Sequence, residues 1–498
     1  MPLEAEALAN YPAERTVSAS AVAERVAQSG RVLIVLDDDP TGTQSVSDLP
    51  VLNAWEPEDF RWAFECRIDG LRPAAVYVLT NTRSLGPDEA AERNREVVAA
   101  ASLAAREAGV RLGFVSRSDS TLRGHFPLET DVLAEAIVAQ GGAPIDGVVM
   151  VPAFPDAGRV TIGGQHYVRT TAAGSDSSDG APQASLTPVS ETEFARDATF
   201  GFSTSYLPAY VEEKTGGRRR ADSVIVLDLG IVRAGADAIA DAIAPATDST
   251  PIVVDVTGEN DLRALALGLD EAERRGKELL YRVGPPFVRA RIGQEARQPL
   301  TADEVYHPGT GGPERTDLAP GGLIVVGSHV GLTTRQLERL TAEHSSAVTV
   351  EIDVNALLDP AGAAGHLGAT VDAVVRALAH GDVIVHTSRT LVRADDPAQS
   401  LHIARTVSSA VVHVVKAVLE ASPPRFVIAK GGITSSDVAA HGLQIRHAIV
   451  RGPMLPGIVS LWEPVDGPAR GIPYIVFAGN VGDDESLAAV TRTLSSTF

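Results

Sequence analysis

An apolar strand that runs into polar residues and is followed by a helix recurs four times in the first third of the chain. This pattern constrains the fold more strongly than any other feature of the sequence. A long helix begins at Pro87 and stops before Gly109, in keeping with the usual preference for proline in the first turn and glycine after the last. The alternation is typical of a mainly parallel sheet flanked by helices. We therefore predict an α/β fold, with strands at 31–36, 74–79, 111–115 and 147–151.

The first of these strands runs directly into three acidic residues, Asp37, Asp38 and Asp39, and is stopped by a proline and a glycine. Ligands of open α/β sheets bind at the carboxyl ends of the strands, where loops carry polar groups on a rigid support. Three adjacent carboxylates repel one another, so a metal, a substrate cation or a substrate hydroxyl would use them better than a structural loop. The alternative is an acidic turn that caps a helix beginning near Thr43.

The other three strands also end in polar clusters, at 80–84, 116–125 and 152–159. Arg123 stands beside Gly124 and close to Asp119, which suits bidentate capture of a carboxylate or phosphate, although a simple salt bridge is the alternative. His125 and His166 could act as ligands or bases. Lone histidines more often make structural hydrogen bonds.

A second strand, turn and helix pattern begins at 322, and three of its strands lead into glycine-containing turns. These turns are Gly327-Ser328, Lys430-Gly431-Gly432 and Gly479. Taken singly, such turns are often helix caps, but together they favour a nucleotide pocket, because exposed amides and helix N-termini attract anions. There is no Gly-x-x-x-x-Gly-Lys-Ser/Thr motif, which excludes a P-loop. The strands of this second pattern lie at 322–326, 348–352, 383–386, 426–429 and 474–477.

We expect two domains, with the active site in the cleft between the strand ends of the two sheets. The segment 171–185 lacks an apolar period and is expected to be a surface loop or a disordered insert. The segment 214–220 is either a mobile lid or a solvated surface turn. The predicted division is an N-terminal extension at 1–30, a first domain at 31–283, a linker region at 284–321 and a second domain at 322–498.

Composition excludes several classes of protein. A net charge of −21 argues against binding to nucleic acid or to an anionic membrane surface. The single cysteine, Cys66, permits neither an internal disulfide nor a cysteine-based metal site. The first 20 residues resemble neither a signal peptide nor a transit peptide, and we expect no apolar run long enough to cross a bilayer. The expected location is the cytoplasm.

The motifs of both domains, taken together, resemble the four-carbon acid sugar kinase family. The similarity covers nearly the whole chain in order, because it continues through Gly327-Ser328, 431–434 and 479–482. In the first domain it rests on Asp38-Asp39-Pro40-Thr41-Gly42, Ser118-Asp119-Ser120-Thr121-Leu122-Arg123-Gly124, Pro152-Ala153-Phe154-Pro155 with Gly158-Arg159, and Glu191-Thr192-Glu193-Phe194-Ala195-Arg196-Asp197.

The resemblance implies a sugar-acid-binding domain at 31–283 and a nucleotide-binding domain at 322–498. The implied reaction is phosphorylation of a tetronate, such as a threonate, an erythronate or a 3-oxo-tetronate, by ATP with Mg²⁺. The implied ATP contacts are Ser328, Gly431, Gly432, Ile433, Thr434 and Gly479, and we add Lys430 as a candidate contact of our own. Our candidate catalytic residues are Asp38, Asp119 and Arg123, and our candidate substrate-binding residues are Asp39, Thr41, Gly42, Arg83, Gly124 and Arg159.

Phosphoryl transfer to an alcohol needs a base, cations and a docking site for the substrate. Asp38 is our candidate base, Arg123 with Arg159 our candidate carboxylate clamp, and Asp37 or Asp39 could hold Mg²⁺ directly or through the phosphates.

The chain departs from the family at three positions. Thr43 replaces a frequent alanine, Asp37 is an additional acid, and Phe477 replaces a lysine that often precedes the last Gly-Asn. Lys430 is our candidate for the missing charge. The alternatives are a kinase of another small sugar acid or polyol, and a non-catalytic sensor of sugar acid and nucleotide. A homodimer is left open.

Overall fold

The chain divides into two units in the computed structural model, which describes residues 3–171, 184–306, 315–389 and 397–498. Most of the segment expected to be a surface loop, 172–183, lies outside the described residues, as does 307–314 of the expected linker. The first unit comprises Met1–Gly42, Trp55–Arg67 and Arg72–Ala296, and the second comprises Thr43–Ala54, Ile68–Leu71 and Arg297–Phe498.

Up to residue 296 the described chain forms ten helices and eleven strands. The helices are α1 (Glu4–Leu8), α2 (Ala19–Ser29), α3 (Pro57–Glu65), α4 (Pro87–Ala108), α5 (Leu128–Ala139), α6 (Leu207–Lys214), α7 (Leu229–Ala234), α8 (Ala236–Ile243), α9 (Glu259–Arg274) and α10 (Pro286–Arg291). The strands are β1 (Arg31–Asp37), β2 (Leu49–Leu52), β3 (Ala75–Leu79), β4 (Arg111–Arg117), β5 (Gly147–Val151), β6 (Arg159–Ile162), β7 (Gln165–Thr171), β8 (Ala184–Pro188), β9 (Ile225–Leu227), β10 (Thr250–Val254) and β11 (Leu279–Val283).

The first unit is built on seven parallel strands in the order β3-β1-β4-β11-β5-β10-β9. Every residue of β1 is buried, as expected for a strand with parallel neighbours on both sides and helices on both faces. The four strands predicted in the first third of the chain are present, and the predicted α/β class is confirmed. β11, which lies between β4 and β5, is an additional strand that was not predicted from the sequence.

A small antiparallel sheet in the order β6-β7-β8 belongs to the same unit. Its apolar residues Val160, Ile162 and Leu186 are buried in one cluster with Leu229 of α7. The predicted loop at 214–220 is a turn tied down by two ion pairs, Arg218 with Asp131 and Arg219 with Asp248, at 2.7 and 3.3 Å. The structure therefore places it as a surface turn.

Beyond residue 296 the described chain forms seven helices and seven strands. The helices are α11 (Ala302–Tyr306), α12 (Gly331–Glu343), α13 (Val354–Leu358), α14 (Ala363–Leu378), α15 (Pro397–Ala421), α16 (Gly432–Asp437) and α17 (Ser486–Leu494). The strands are β12 (Leu323–Val326), β13 (Val348–Ile352), β14 (Val383–Thr387), β15 (Val427–Lys430), β16 (His447–Leu455), β17 (Val459–Pro464) and β18 (Tyr474–Phe477).

The second unit has eight strands in the order β13-β14-β12-β15-β18-β17-β16-β2. Five of these strands run parallel, namely β13, β14, β12, β15 and β18. The other three, β17, β16 and β2, each pair antiparallel with their neighbours. Strand β2, from the first part of the sequence, thus belongs to this unit. Thr43, which precedes β2, hydrogen-bonds to Ser460 and accepts a hydrogen bond from Trp462 Nε1, both at 2.9 Å. These contacts join parts of the chain that are about four hundred residues apart.

One segment of α15, His402–Ala421, is long and apolar enough to cross a membrane by length and composition, with a mean hydropathy of 1.2. This corrects the expectation that no such run would be found. The segment is weak evidence for a membrane span, because a core helix passes the same test. Ala410, Val414 and Val418 of this helix are buried within the second unit.

Candidate active site

Asp37, the last residue of β1, pairs with Arg117, the last residue of the neighbouring strand β4. The two residues are in register, and Arg117 Nη2 lies 2.5 Å from Asp37 Oδ1. Burial raises the pKa of Asp37 to about 7, although the charge of Arg117 acts in the opposite direction. Gly42 packs against this pair so closely that a Cβ there would lie 1.7 Å from Arg117 Nη2 and 1.8 Å from Asp37 Oδ2. Gly42 therefore allows the loop after β1 to fold back over the ion pair.

Arg83 holds the next two carboxylates. It lies in the 3₁₀ turn Thr82–Ser84 after β3, the strand on the other side of β1. Its Nη2 and Nε donate to the two oxygens of Asp38 at 2.6 and 3.2 Å, and its Nη1 lies 2.9 Å from Asp39 Oδ2. Burial, the largest effect, raises the pKa of Asp38 above its usual range against the opposing charge of Arg83. Asp38 is thus a buried, oriented carboxylate with an increased proton affinity.

Asp39 differs from Asp38 in its hydrogen bonds. Both the backbone N–H and the hydroxyl of Thr41 donate to Asp39 Oδ1, at 2.8 and 2.5 Å. Burial acts to raise the pKa of Asp39, but the charges of Arg83 and Arg117 and the bonds from Thr41 outweigh it, so the pKa lies below its usual range. Asp39 therefore shapes the loop and remains ionised.

A second acid–arginine group follows β4. Arg123 Nε donates to Asp119 Oδ2 at 2.6 Å, and the Thr121 hydroxyl donates to the same oxygen. Burial acts to raise the pKa of Asp119, but the charges of Arg83 and Arg123 and these hydrogen bonds lower it to about 2. Asp119 is therefore a weak base that anchors Arg123.

Arg123 and Arg159 face one aromatic ring. Their guanidinium carbons lie 5.4 and 5.9 Å from the centroid of Phe194. Arg159 Nη1 donates to Ala157 O at 2.6 Å, while its Nε is buried and has no hydrogen-bond partner among the described residues. Two guanidinium groups close to one ring, one of them with an unused buried donor, form a cationic surface that suits a carboxylate.

Two charged residues that the sequence analysis did not single out complete this group. Arg282 of β11 donates to Glu129 of α5 at 2.9 Å, and both side chains are buried. Gly124, with φ of +117°, brings the backbone next to them, because a Cβ there would lie 3.0 Å from both Arg282 Nη2 and Asp38 Oδ2. An arginine inside an otherwise apolar strand was the available sequence signal, but its partner could not be inferred from local pattern.

The two histidines in this unit have structural roles. His125 Nε2 bonds to the carbonyl oxygens of Thr82 and Leu85, and the buried His166 Nε2 bonds to Ser120 O at 2.8 Å. Burial lowers the pKa of His166 to about 4, so this ring is neutral at physiological pH.

In the second unit, the three glycine turns follow neighbouring parallel strands, β12, β15 and β18. They pack tightly on one another. A Cβ on Gly327 would lie 2.2 Å from Thr434 Oγ1, and one on Gly479 would lie 2.6 Å from Ser328 Oγ. Gly431 has φ of +133° and would place a Cβ 3.3 Å from the backbone nitrogen of Ser328. The predicted nucleotide contacts Ser328, Gly431, Thr434 and Gly479 therefore form one group.

Gly432 and Ile433 lie at the open side of this group. A Cβ on Gly432 would meet no atom within 4 Å, and Ile433 is 66% exposed. An exposed apolar side chain next to amide-rich turns provides a surface on which a flat aromatic base can pack.

Lys430 has a different environment from its neighbours in the turn. Its side chain is fully buried, its Nζ donates to Ala478 O at 2.7 Å, and the amine lies 3.9 Å from the ring centroid of Phe477. Burial lowers the pKa of this amine to about 7. Its role as a phosphate contact stays a prediction.

Within the described parts of the chain, no group of three or more histidine, cysteine, aspartate or glutamate side chains could hold a metal ion. Asp37 and Asp39, the candidates from the sequence, are both paired with arginines. The residues present therefore do not form a magnesium cage.

Two family models match the chain, a sugar-binding N-terminal domain over residues 33–291 and a nucleotide-binding C-terminal domain over residues 323–487. The chain is also 26% identical over 331 residues to a D-erythronate kinase of Heliobacterium modesticaldum (strain ATCC 51547 / Ice1). That alignment covers 66% of this chain and 64% of the relative, so the chain spans somewhat less than two thirds of the relative's length.

Two solved structures share the fold. One is a Salmonella typhimurium LT2 protein proposed to be a tRNA synthase, with a TM-score of 0.64 and 18% identity over 93% of this chain and 99% of that one. The other is a Haemophilus influenzae protein, with a TM-score of 0.59 and 16% identity over 92% of this chain and 99% of that one. At these identities the likeness concerns the fold alone. Because the two family models account for most of the sequence, the chain belongs to the four-carbon acid sugar kinase family.

Proposed function

We propose that the protein transfers the γ-phosphoryl group of ATP to a hydroxyl of a four-carbon sugar acid, a tetronate or 3-oxo-tetronate. The observation that carries the proposal is the group at the strand ends of the first unit. There a buried carboxylate of raised pKa, Asp38, accompanies two guanidinium groups, Arg123 and Arg159, which share the ring of Phe194. A base and a carboxylate clamp are what a sugar-acid acceptor requires.

In this proposal Asp38 takes the proton from the attacking hydroxyl. A carboxylate whose pKa lies above its usual range is a stronger base than one whose pKa lies below it, so Asp38 suits this role better than Asp39 or Asp119. Arg83 orients Asp38 through two hydrogen bonds. Arg123 and Arg159 bind the substrate carboxylate and thereby fix which hydroxyl faces Asp38.

The second unit would bind the nucleotide. The glycine turns would receive phosphate groups at Gly432, where a Cβ would meet no atom within 4 Å and the start of α16 is open to a ligand. Gly432 and Ile433 would border the ligand, with Ser328 and Thr434 supplying hydroxyls. Bound ATP supplies the phosphoryl group that is transferred.

Among the described residues, Asp37 and Asp39 are each paired with an arginine, which argues against a protein cage for Mg²⁺. Magnesium is commonly held mainly by substrate phosphates and water, with one or two carboxylates at most. We propose that it arrives with ATP. We also propose a cytoplasmic location, where ATP is available and a lone thiol such as Cys66 stays reduced.

The test is ADP release from ATP with a panel of acceptors. The panel contains erythronates, threonates and 3-oxo-tetronates, together with erythritol as a four-carbon polyol and a pentonate as a longer sugar acid. We expect turnover with one or a few tetronates and none with erythritol, because erythritol lacks the carboxylate that Arg123 and Arg159 would bind.

Faster turnover with erythritol or the pentonate would instead support a kinase of another polyol or sugar acid. Binding of both a tetronate and ATP by calorimetry, without ADP release from any acceptor, would identify a sensor.

A further inference from the structure

The phosphate groups of a nucleotide require positive charge, and the lysine in the second unit's turns is poorly placed to supply it. The amine of Lys430 donates to Ala478 O and lies against the ring of Phe477, and the whole side chain is buried. Burial also favours its neutral form. A cation of the protein itself would therefore come from another strand end.

Arg389 lies at the neighbouring strand end. It follows β14 by two residues, and β14 pairs in parallel with β12, whose end carries Ser328. Its Nη1 donates to Ser328 O at 2.8 Å and its Nη2 to Thr334 Oγ1 at 2.6 Å. The guanidinium group thus lies directly against the turn that the sequence predicts as a nucleotide contact.

Arg389 forms no close ion pair with the described residues, and Glu338 acts on its charge only from farther away. Among the residues that the structure describes, no carboxylate lies within 4.0 Å of its guanidinium, whereas Arg335 of α12 lies 2.8 Å from Asp484 and Arg451 lies 3.2 Å from Asp48. Arg389 Nε is buried and has no hydrogen-bond partner in the part of the chain that the structure describes. An unpaired, partly buried guanidinium with an unused donor is costly unless a ligand compensates it.

A second unused group lies next to it. The Nδ1 atom of His329 is also buried, without a hydrogen-bond partner among the described residues, and both the charge and the backbone of Arg389 act on the ring. Two unsatisfied nitrogens, from two adjacent strand ends, border the turn that contains Ser328. A polar ligand at this place would give both nitrogens a partner.

We infer that Arg389 is the cation that binds the nucleotide's phosphate groups and that it holds the Ser328 turn in shape for them. The inference rests on the proposed function, since it presupposes that the second unit binds a nucleotide. Arginine suits the role because its planar fork can bond the turn and a phosphate at the same time.

The test compares binding of ATP, ADP and AMP to the full-length protein by calorimetry. Arg389→Met removes the charge but keeps the length of the side chain, and Arg389→Lys keeps the charge without the fork. Arg335→Met is the matched control, because Arg335 is a surface arginine of the same unit with its own carboxylate partner. Thermal unfolding of each variant checks that it is folded.

We expect Arg389→Met to weaken ATP and ADP binding by roughly 10- to 100-fold, the usual effect of removing a hydrogen bond to a charged group. The loss should be smaller for AMP, and Arg389→Lys should recover part of it. Arg335→Met should bind all three ligands like the wild type. A purely structural role would weaken all three ligands equally and would gain nothing from lysine.

Two results overturn the inference. Wild-type affinity in Arg389→Met, or an equal loss for ATP, ADP and AMP, would refute it and leave the proposed function intact. If the wild-type protein itself bound none of the three nucleotides, the proposed function would fail, and the role of Arg389 with it.

Discussion

Asp38 and Asp119 show how neighbouring carboxylates acquire different proton affinities. Both are shielded from solvent, and burial acts to raise the pKa of each. For Asp119 the charges of Arg83 and Arg123 prevail and lower the pKa to about 2, whereas for Asp38 burial prevails. The balance between desolvation and ion pairing therefore separates a candidate base from a structural anchor.

We predict that Asp38→Asn lowers kcat by roughly a hundred- to ten-thousand-fold, the typical contribution of general base catalysis, while tetronate and ATP still bind. Asparagine keeps the size and an acceptor for Arg83 but cannot take the proton. Steady-state kinetics and calorimetry on the same samples measure the two effects. Asp131→Asn is the control, because Asp131 pairs with Arg218 on the surface of the same unit.

If Asp38 holds Mg²⁺ instead, higher metal concentrations should partly restore activity, and ATP affinity should also fall. A near-wild-type kcat would remove Asp38 from both roles and direct attention to Asp39 or Asp119.

The turn between β15 and α16 contains two adjacent glycines, Gly431 and Gly432, whose backbone conformations and surroundings differ. Gly431 has φ of +133°, and a Cβ there would lie 2.8 Å from Thr434 Oγ1, so the turn itself requires it. Gly432 would place a Cβ in open space. Because Gly432 has no side chain, a ligand can come close to the backbone of the turn at this point. Such access is expected of a phosphate-binding loop.

We therefore predict opposite outcomes at the two positions. Gly431→Ala should lower the free energy of unfolding by about 1–3 kcal/mol, the usual cost of a strained backbone conformation. Gly432→Val should leave that free energy within about 1 kcal/mol of the wild type, because surface changes are generally small. It should nevertheless raise the KM for ATP far more than the KM for the sugar acid.

Chemical unfolding and steady-state kinetics test the pair. Equal increases in both KM values for Gly432→Val would contradict a nucleotide contact and indicate a folding defect.

The boundary between the two units does not lie at a single position in the sequence, because each unit is formed by three separate segments of the chain. The second unit includes Thr43–Ala54, whose strand β2 extends the sheet beside β16. Thr43 also accepts a hydrogen bond from the buried Trp462. A fragment made only from the C-terminal part would therefore expose a strand edge and leave a buried indole N–H unpaired, which favours aggregation and lowers stability.

We predict that the fragment Arg297–Phe498 aggregates or unfolds at lower temperature than the same fragment carrying Thr43–Ala54 on a flexible linker. Only the second fragment should be monomeric and bind ATP without the sugar acid. Size-exclusion chromatography, thermal unfolding and calorimetry measure these properties. Equal behaviour of the two fragments would show that β2 is dispensable for the second unit.

Local pattern alone determined the α/β class, most of the parallel strands and the glycine turns at their ends. Strand, turn and helix signals lie within a few residues of one another, so the exact bounds of α4, β5, β13 and β18 could be predicted without any tertiary information. The cluster of acidic residues at the end of β1, Asp37 to Asp39, could also be recognised in the sequence, because it directly follows the apolar residues of the strand.

Only the tertiary structure decided which charged side chains form ion pairs. Arg117 pairs with Asp37 because β4 lies beside β1, and Arg282 pairs with Glu129 because β11 packs against α5. The hydrophobic pattern of the sequence does not predict either arrangement. The same holds for β2, whose partner strand is about four hundred residues away. A hydrophobic period reports which face of an element is buried, whereas ion pairs and strand neighbours depend on contacts between distant parts of the chain.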